Sequence, residues 1–247
     1  MKLICCKDYE DMSKHVAQDI LAEVKANPEI VLGLATGSTP EGCYKYMVEA
    51  YEAGEADFSK VSSVNLDEYV GLGPDDDQGY RYFMNKHLFD HVNIDKANTY
   101  VPNGLAKTSE EACAEHEANI EKLGGIDVQL LGLGGNGHIG FNEPGESFVK
   151  GTHIVDLTPG TIEANARFFE SIDDVPKQAY SMGVGNILDA QKVILAVSGT
   201  RKAQALYEVI YGSICPKVQG SILQLHKNVV IYADEEALSV IREKGLL

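Results

Sequence analysis

The chain has 247 residues, of which 44% are hydrophobic and 23% charged, with a formal net charge of −16. There is ample apolar mass for a core, while the acidic excess argues against nucleic acid and anionic membrane as partners, since both reward clustered Lys and Arg. Apolar runs such as IVLGLA and VILAV fall far short of the ~20 residues that span a bilayer, and MKLICCKDYE turns acidic too soon for a secretory leader, so the expected location is cytoplasmic.

A short β run, Leu3–Cys6, opens the chain. Its adjacent Cys5 and Cys6 belong to a set of five cysteines without C-x-x-C spacing, which argues against a disulfide framework. Asp8–Asn27 then places Met12, Val16, Ile20 and Val24 at four-residue spacing, one buried helical stripe. The strand Ile30–Ala35 runs into Thr36-Gly37-Ser38-Thr39, and a helix follows with Pro40 at its first position behind a Thr39 cap. Free N–H groups and hydroxyls at a helix start make a phosphate site. Without G-K-[ST] it is no nucleoside-triphosphate loop, and a capped turn without ligand is the plainer alternative.

Val61–Leu66 is the next strand, and Asp67 and Glu68 leave it side by side. Neighbouring strand residues face opposite ways, so at most one of the two carboxylates meets a central cleft. That one is a candidate proton-transfer base, against the plain reading of a solvated acidic turn. Asp75-Asp76-Asp77 reads as a solvated loop. His87 and His91 lie four apart on a helix but have no evident third metal ligand. Thr99–Val101 is a strand, and the helix Glu110–Leu123 stops at Gly124-Gly125.

Ile126–Leu133 runs into GLGGNGHIGFNEPG, which satisfies G-x-G-x-x-G. A dinucleotide-binding turn needs a helix after it, to set a positive end on the pyrophosphate. Here Gly140, Pro144, Gly145 and Gly151 follow, with no apolar helical stripe. The loop instead displays Asn136, His138, Asn142 and Glu143, and a His oriented by a carboxylate is a general acid–base unit. A histidine on a mobile surface loop is the alternative.

The remaining strands are His153–Leu157, Tyr180–Gly183, Lys192–Val197 and Val229–Tyr232, with helix starts at Thr158-Pro159, Thr200 and Asp234. Arg167 falls late in TPGTIEANARFF, and SGTRKAQAL sets Arg201 and Lys202 at a helix start. Cations there oppose the macrodipole, which makes sense if an anion binds. Alternating strands and helices, without repeat or linker, predict an α/β fold: a mostly parallel open sheet with helices on both faces, a Rossmann-like three-layer arrangement forming a single domain over residues 1–247. Ligands in such folds sit beyond the carboxyl ends of the strands, where these loops lie.

With LATGSTP, NLDEYVGL, GLGGNGHIGFNEPG, the Arg167 segment and SGTRKA in this order, the chain resembles the glucosamine-6-phosphate deaminase family from about residue 30 to residue 235. The resemblance implies conversion of glucosamine 6-phosphate and water into fructose 6-phosphate and ammonia, with no metal and no cofactor. It places the enolising base on Asp67, the ring-opening histidine on His138 and its partner on Glu143, with Asn136 beside them where many members carry an aspartate. It puts the phosphate on Thr36, Gly37, Ser38 and Thr39, with Arg167 and Lys202 closing around it. An amide adds no negative charge, so His138 is expected to be a weaker base than in a fully charged set. The stretch GESFVKGTHIVD and an end at Leu247 lack the extension and basic residues of hexameric, activator-regulated members, which implies an unregulated monomer. Rival readings are a 6-phosphogluconolactonase, which needs no enolising base, an aldose–ketose isomerase, which releases no ammonia, and a phosphosugar sensor, which needs no acid–base residues.

Overall fold

The computed structural model describes residues 1–247. Its first half runs β1 (Lys2–Cys6), α1 (Tyr9–Ala26), β2 (Val31–Leu34), α2 (Ser38–Glu52), β3 (Ser62–Asn65), β4 (Asp67–Tyr69), α3 (Tyr80–Met84), β5 (Thr99–Tyr100) and α4 (Ser109–Lys122). The second half runs β6 (Val128–Gly132), β7 (His153–Asp156), α5 (Pro159–Asn165), β8 (Gln178–Ser181), α6 (Val184–Asp189), β9 (Lys192–Val197), α7 (Ala203–Tyr211), β10 (Val229–Asp234) and α8 (Ser239–Glu243).

Seven strands form one sheet in the order β1-β10-β9-β6-β2-β3-β5, and every neighbouring pair is parallel. The apolar runs are explained by burial on both faces. On β9, Val193, Leu195 and Val197 join one core while Ile194 and Ala196 join the other. The first helix matches its pattern: Asp8 caps it by accepting the Asp11 N–H at 2.9 Å, and Met12, Val16, Ile20 and Val24 are all buried. Each such side chain is worth roughly 1.5–3 kcal/mol when taken from water.

The strand order locates the cleft. From β2 the chain moves outward through β3 and β5, then returns to lay β6 on the other side of β2 and continues outward to β9 and β10. The loops after β2 and β6 therefore diverge at a topological switch, which opens a crevice at the carboxyl ends.

Three features differ from the sequence expectations. His153–Asp156 and Gln178–Ser181 do not join the parallel sheet; with β4 they make a second, antiparallel sheet in the order β4-β8-β7. On β7 only Val155 is buried, as suits a strand with one face on a small core. Helix α2 starts at Ser38 rather than Pro40, because Gly37 adopts φ +87° and turns the chain into the helix without a side-chain cap. Asp234 ends β10 instead of opening a helix; its carboxylate accepts the N–H groups of Gly199 and Ala237, tying the loop after β9 to the loop before α8.

Candidate active site

One cleft of about 1330 Å³ opens at the switch, and Thr36, Gly37, Ser38, Thr39, Asp67, Asn136, His138, Arg167 and Lys202 all line it. Glu143 stands behind His138, with a side chain only 7% exposed. The structure thus brings every sequence-predicted site residue together.

The anion end is built by the loops after β2 and β9. With Gly37 as the left-handed cap, the first N–H groups of α2 are free of intrahelical partners, and the hydroxyls of Ser38 and Thr39 flank them. Arg167, in a 3-10 turn after α5, crosses the cleft and donates from Nη2 to Ser38 Oγ at 2.9 Å. Arg201 lines the same end and joins the candidate set, although the sequence singled out only its neighbour as a ligand. Burial, with Arg167 and Arg201 nearby, pushes the Lys202 ammonium down to about 8. A phosphate dianion would reverse that pressure. Below pH 8 Lys202 carries its charge and above it the charge is lost, so binding of phosphorylated ligands should weaken on the alkaline side. Lys202→Arg should move that limb to higher pH, as read from the pH dependence of kcat/KM; an unmoved limb assigns it elsewhere.

The two adjacent carboxylates separate as strand alternation requires. Asp67 faces the cleft, while Glu68 turns away and accepts the N–H groups of Tyr69, Tyr80 and Arg81, which fixes the start of α3. Asp67 is buried, and no protein donor reaches its carboxylate. Desolvation, with Glu68 next to it, raises its pKa to about 8. A carboxyl held this way is a strong base once ionised, and a cationic ligand beside it would promote ionisation.

The glycine loop after β6 carries the other group. His138 Nδ1 lies 3.3 Å from Glu143 Oε2, so a proton on Nδ1 is held by the carboxylate and Nε2 is left as the acceptor. Burial raises the Glu143 carboxyl, but donors from His138, Thr161 and Asn136 outweigh it and leave the pKa lowered. Asn136 works in both directions: Nδ2 donates to Glu143 Oε2 at 2.7 Å, and Oδ1 accepts the His138 N–H at 3.1 Å. An aspartate in that position would lose the first contact, so the amide is a clamp as well as a charge deletion. Asn142, displayed in the sequence, is buried and holds the loop from inside through the carbonyls of Ile139 and Met182.

Glycine is required at two close approaches. A Cβ on Gly140, which has φ +57°, would lie 3.1 Å from Ser181 Oγ and 3.7 Å from Asp67 Oδ2, which sets the histidine loop against the Asp67 strand. A Cβ on Gly134 would collide with His138 Nε2. Gly134→Ala should displace the imidazole from Glu143 and cut turnover by roughly a hundredfold, with little change in melting temperature. Normal turnover in this variant would mean that the ring position is not critical.

Two contributions escaped the sequence. Thr161, on α5, donates its hydroxyl to Glu143 Oε1. The aromatic set Tyr69, Tyr80, Phe141 and Phe169, with ring centroids 4.9–6.1 Å apart, forms the wall that seats α5, helped by Asn165 Nδ2 donating to the Tyr69 hydroxyl at 2.9 Å. His87 packs at a tilt against Phe83 with ring centroids 4.3 Å apart, and His91 Nε2 lies 2.8 Å from the Lys86 carbonyl, so the two rings are engaged separately.

A doubly wound sheet whose crevice gathers cations at a helix start together with a buried carboxylate and a His–Glu pair has the architecture of an enzyme, with groups suited to a small anionic ligand and to proton transfer. The chain belongs to the glucosamine-6-phosphate isomerase/6-phosphogluconolactonase family, which matches residues 7–221. It is 55% identical over 242 residues to the glucosamine-6-phosphate deaminase of Clostridium perfringens, covering 98% of this chain and 100% of that one. Its fold superposes with a TM-score of 0.95 on a monomeric glucosamine-6-phosphate deaminase that is 42% identical, covering 97% of this chain and all of that one. The 6-phosphogluconolactonase of Trypanosoma cruzi shares the fold alone, with a TM-score of 0.78 at 18% identity, covering 96% of each chain.

Proposed function

We propose that the chain converts glucosamine 6-phosphate and water into fructose 6-phosphate and ammonia. The observation that carries this reading is the single cleft in which Asp67 and His138 face the same space as Arg167 and Lys202. The phosphate is held by the start of α2 with Arg167, Arg201 and Lys202, so that C1 and C2 lie over Asp67. His138 Nε2 takes the anomeric hydroxyl proton and returns it to the ring oxygen as the pyranose opens, while Glu143 steadies the imidazolium. Asp67 then removes the C2 proton while one proton of the substrate's ammonium passes to O1, giving an enolamine, and delivers the abstracted proton to C1. The resulting C2 iminium adds water and releases ammonia, leaving the ketose. The substrate's ammonium beside Asp67 favours the ionised carboxylate that burial by itself disfavours.

The lactonase reading leaves Asp67 without a task, and the sensor reading leaves the His138–Glu143 pair without one. The monomeric relative supports a monomer, and residues 1–247 are proposed to work as one phosphosugar-processing unit. No helix is long and apolar enough to cross a membrane, which is compatible with work in the cytoplasm. The test is ammonia release from glucosamine 6-phosphate, with N-acetylglucosamine 6-phosphate and 6-phosphogluconolactone as controls. Ammonia from the free amine alone is the expected result, and lactone hydrolysis without ammonia would reverse the assignment.

A further inference from the structure

Helix α5 joins the two ends of the cleft. It begins behind the Thr158 cap and leads into the 3-10 turn that carries Arg167. In its first turn sits Thr161, 5% exposed and lining the cleft. Its hydroxyl donates to Glu143 Oε1, whereas His138 Nδ1 and Asn136 Nδ2 both lie against Oε2. The Thr158 hydroxyl donates to Thr161 Oγ1 at 3.1 Å, which directs the Thr161 proton onto the carboxylate.

We propose that Thr161 is a positioning residue for proton transfer at His138, holding the free oxygen of Glu143 so that the carboxylate keeps the imidazole aligned. The terminal torsion of a glutamate is broad, and two donors on one oxygen leave the carboxylate able to swing about it. A hydroxyl on the other oxygen fixes the plane. The branched Cβ of threonine restricts its hydroxyl to two main χ1 settings in a helix. The hydroxyl is not what seats α5: the helix is capped by Thr158 Oγ1 accepting the Thr161 N–H at 3.3 Å, and anchored by Asn165 on Tyr69 and by Phe169 against the same ring. Since α5 also leads to Arg167, the element that reaches for the phosphate holds the acid–base pair. The proposal rests on the deaminase reading and adds a residue to it.

The experiment compares the full chain with Thr161→Val, which keeps the shape and removes the hydroxyl, and Thr161→Ser, which restores it. Thr161→Val should lower kcat on glucosamine 6-phosphate by about tenfold to a hundredfold. KM, and the affinity for 2-amino-2-deoxyglucitol 6-phosphate, an open-chain alditol that needs no ring opening, should stay within about twofold. Thr161→Ser should keep kcat within about threefold of the unaltered chain. An unchanged kcat in Thr161→Val, an equal loss in Thr161→Ser, or alditol affinity falling in step with kcat would each overturn the role. Ammonia release by the unaltered chain judges the deaminase reading separately, so an active parent with an equally active Thr161→Val variant removes only Thr161.

Discussion

Asp67→Asn should lower ammonia release by roughly a thousandfold while KM stays near its parent value. An amide cannot accept the C2 proton, and the neighbouring carboxylate cannot stand in, because Glu68 is committed to three backbone N–H groups and points away from the cleft. The residues proposed to hold the phosphate lie on other loops and keep their places. The same substitution has a stability signature with a definite sign. Burial raises Asp67 from 3.8 to about 8, so between those values the folded state binds more protons than the unfolded state. Stability is therefore lost as pH rises from about 4, and the loss is complete above about 8. The cost at the alkaline end is on the order of a few kcal/mol, since each tenfold change in proton affinity is worth roughly 1.4 kcal/mol. Asn carries no such cost, so the melting temperature of Asp67→Asn relative to its parent should climb as pH goes from 4 to 8. A pH-independent difference, or substantial turnover in the variant, would remove Asp67 from its role.

His138→Gln should slow the closed sugar by about a hundredfold to a thousandfold. Glutamine can reach toward the anomeric hydroxyl and pair with Glu143, but it has no titratable nitrogen to take the proton. The loss should be much smaller for an analogue that cannot close into a pyranose, because its aldehyde is already presented to Asp67. The ratio of kcat values for the two substrates, parent against variant, is the measurement. Equal slowing would give the histidine a part in the later steps instead of ring opening.

Much of the site was legible because it follows from local chemistry. Period-two alternation separates Asp67 from Glu68 on the sequence alone. The absence of a helical stripe after Gly137 turns a nucleotide fingerprint into a side-chain loop, and cations against a helix dipole mark Lys202. What stayed hidden depends on distant pairing. The second sheet joins Asp67 to Ser181 and Glu68 to Tyr180, and its strands, three or four residues long, are too short to show which sheet they join. The start of α2 was misplaced because a Thr-Pro pair gives a louder cap signal than a glycine whose positive φ does the turning. Thr161 was hidden because a hydroxyl three residues after a Thr-Pro start looks like capping chemistry, and nothing local reveals a carboxylate waiting across the cleft.

The proposed site is assembled across two sheets. The loops after β2, β6 and β9 belong to the parallel sheet, whereas Asp67 opens β4 and the segment carrying Arg167 follows β7, both of the antiparallel one. A shift of the small sheet against the large one would therefore move Asp67 and Arg167 together relative to His138 and Lys202. The stiffness of that junction governs whether all four groups can meet one ligand.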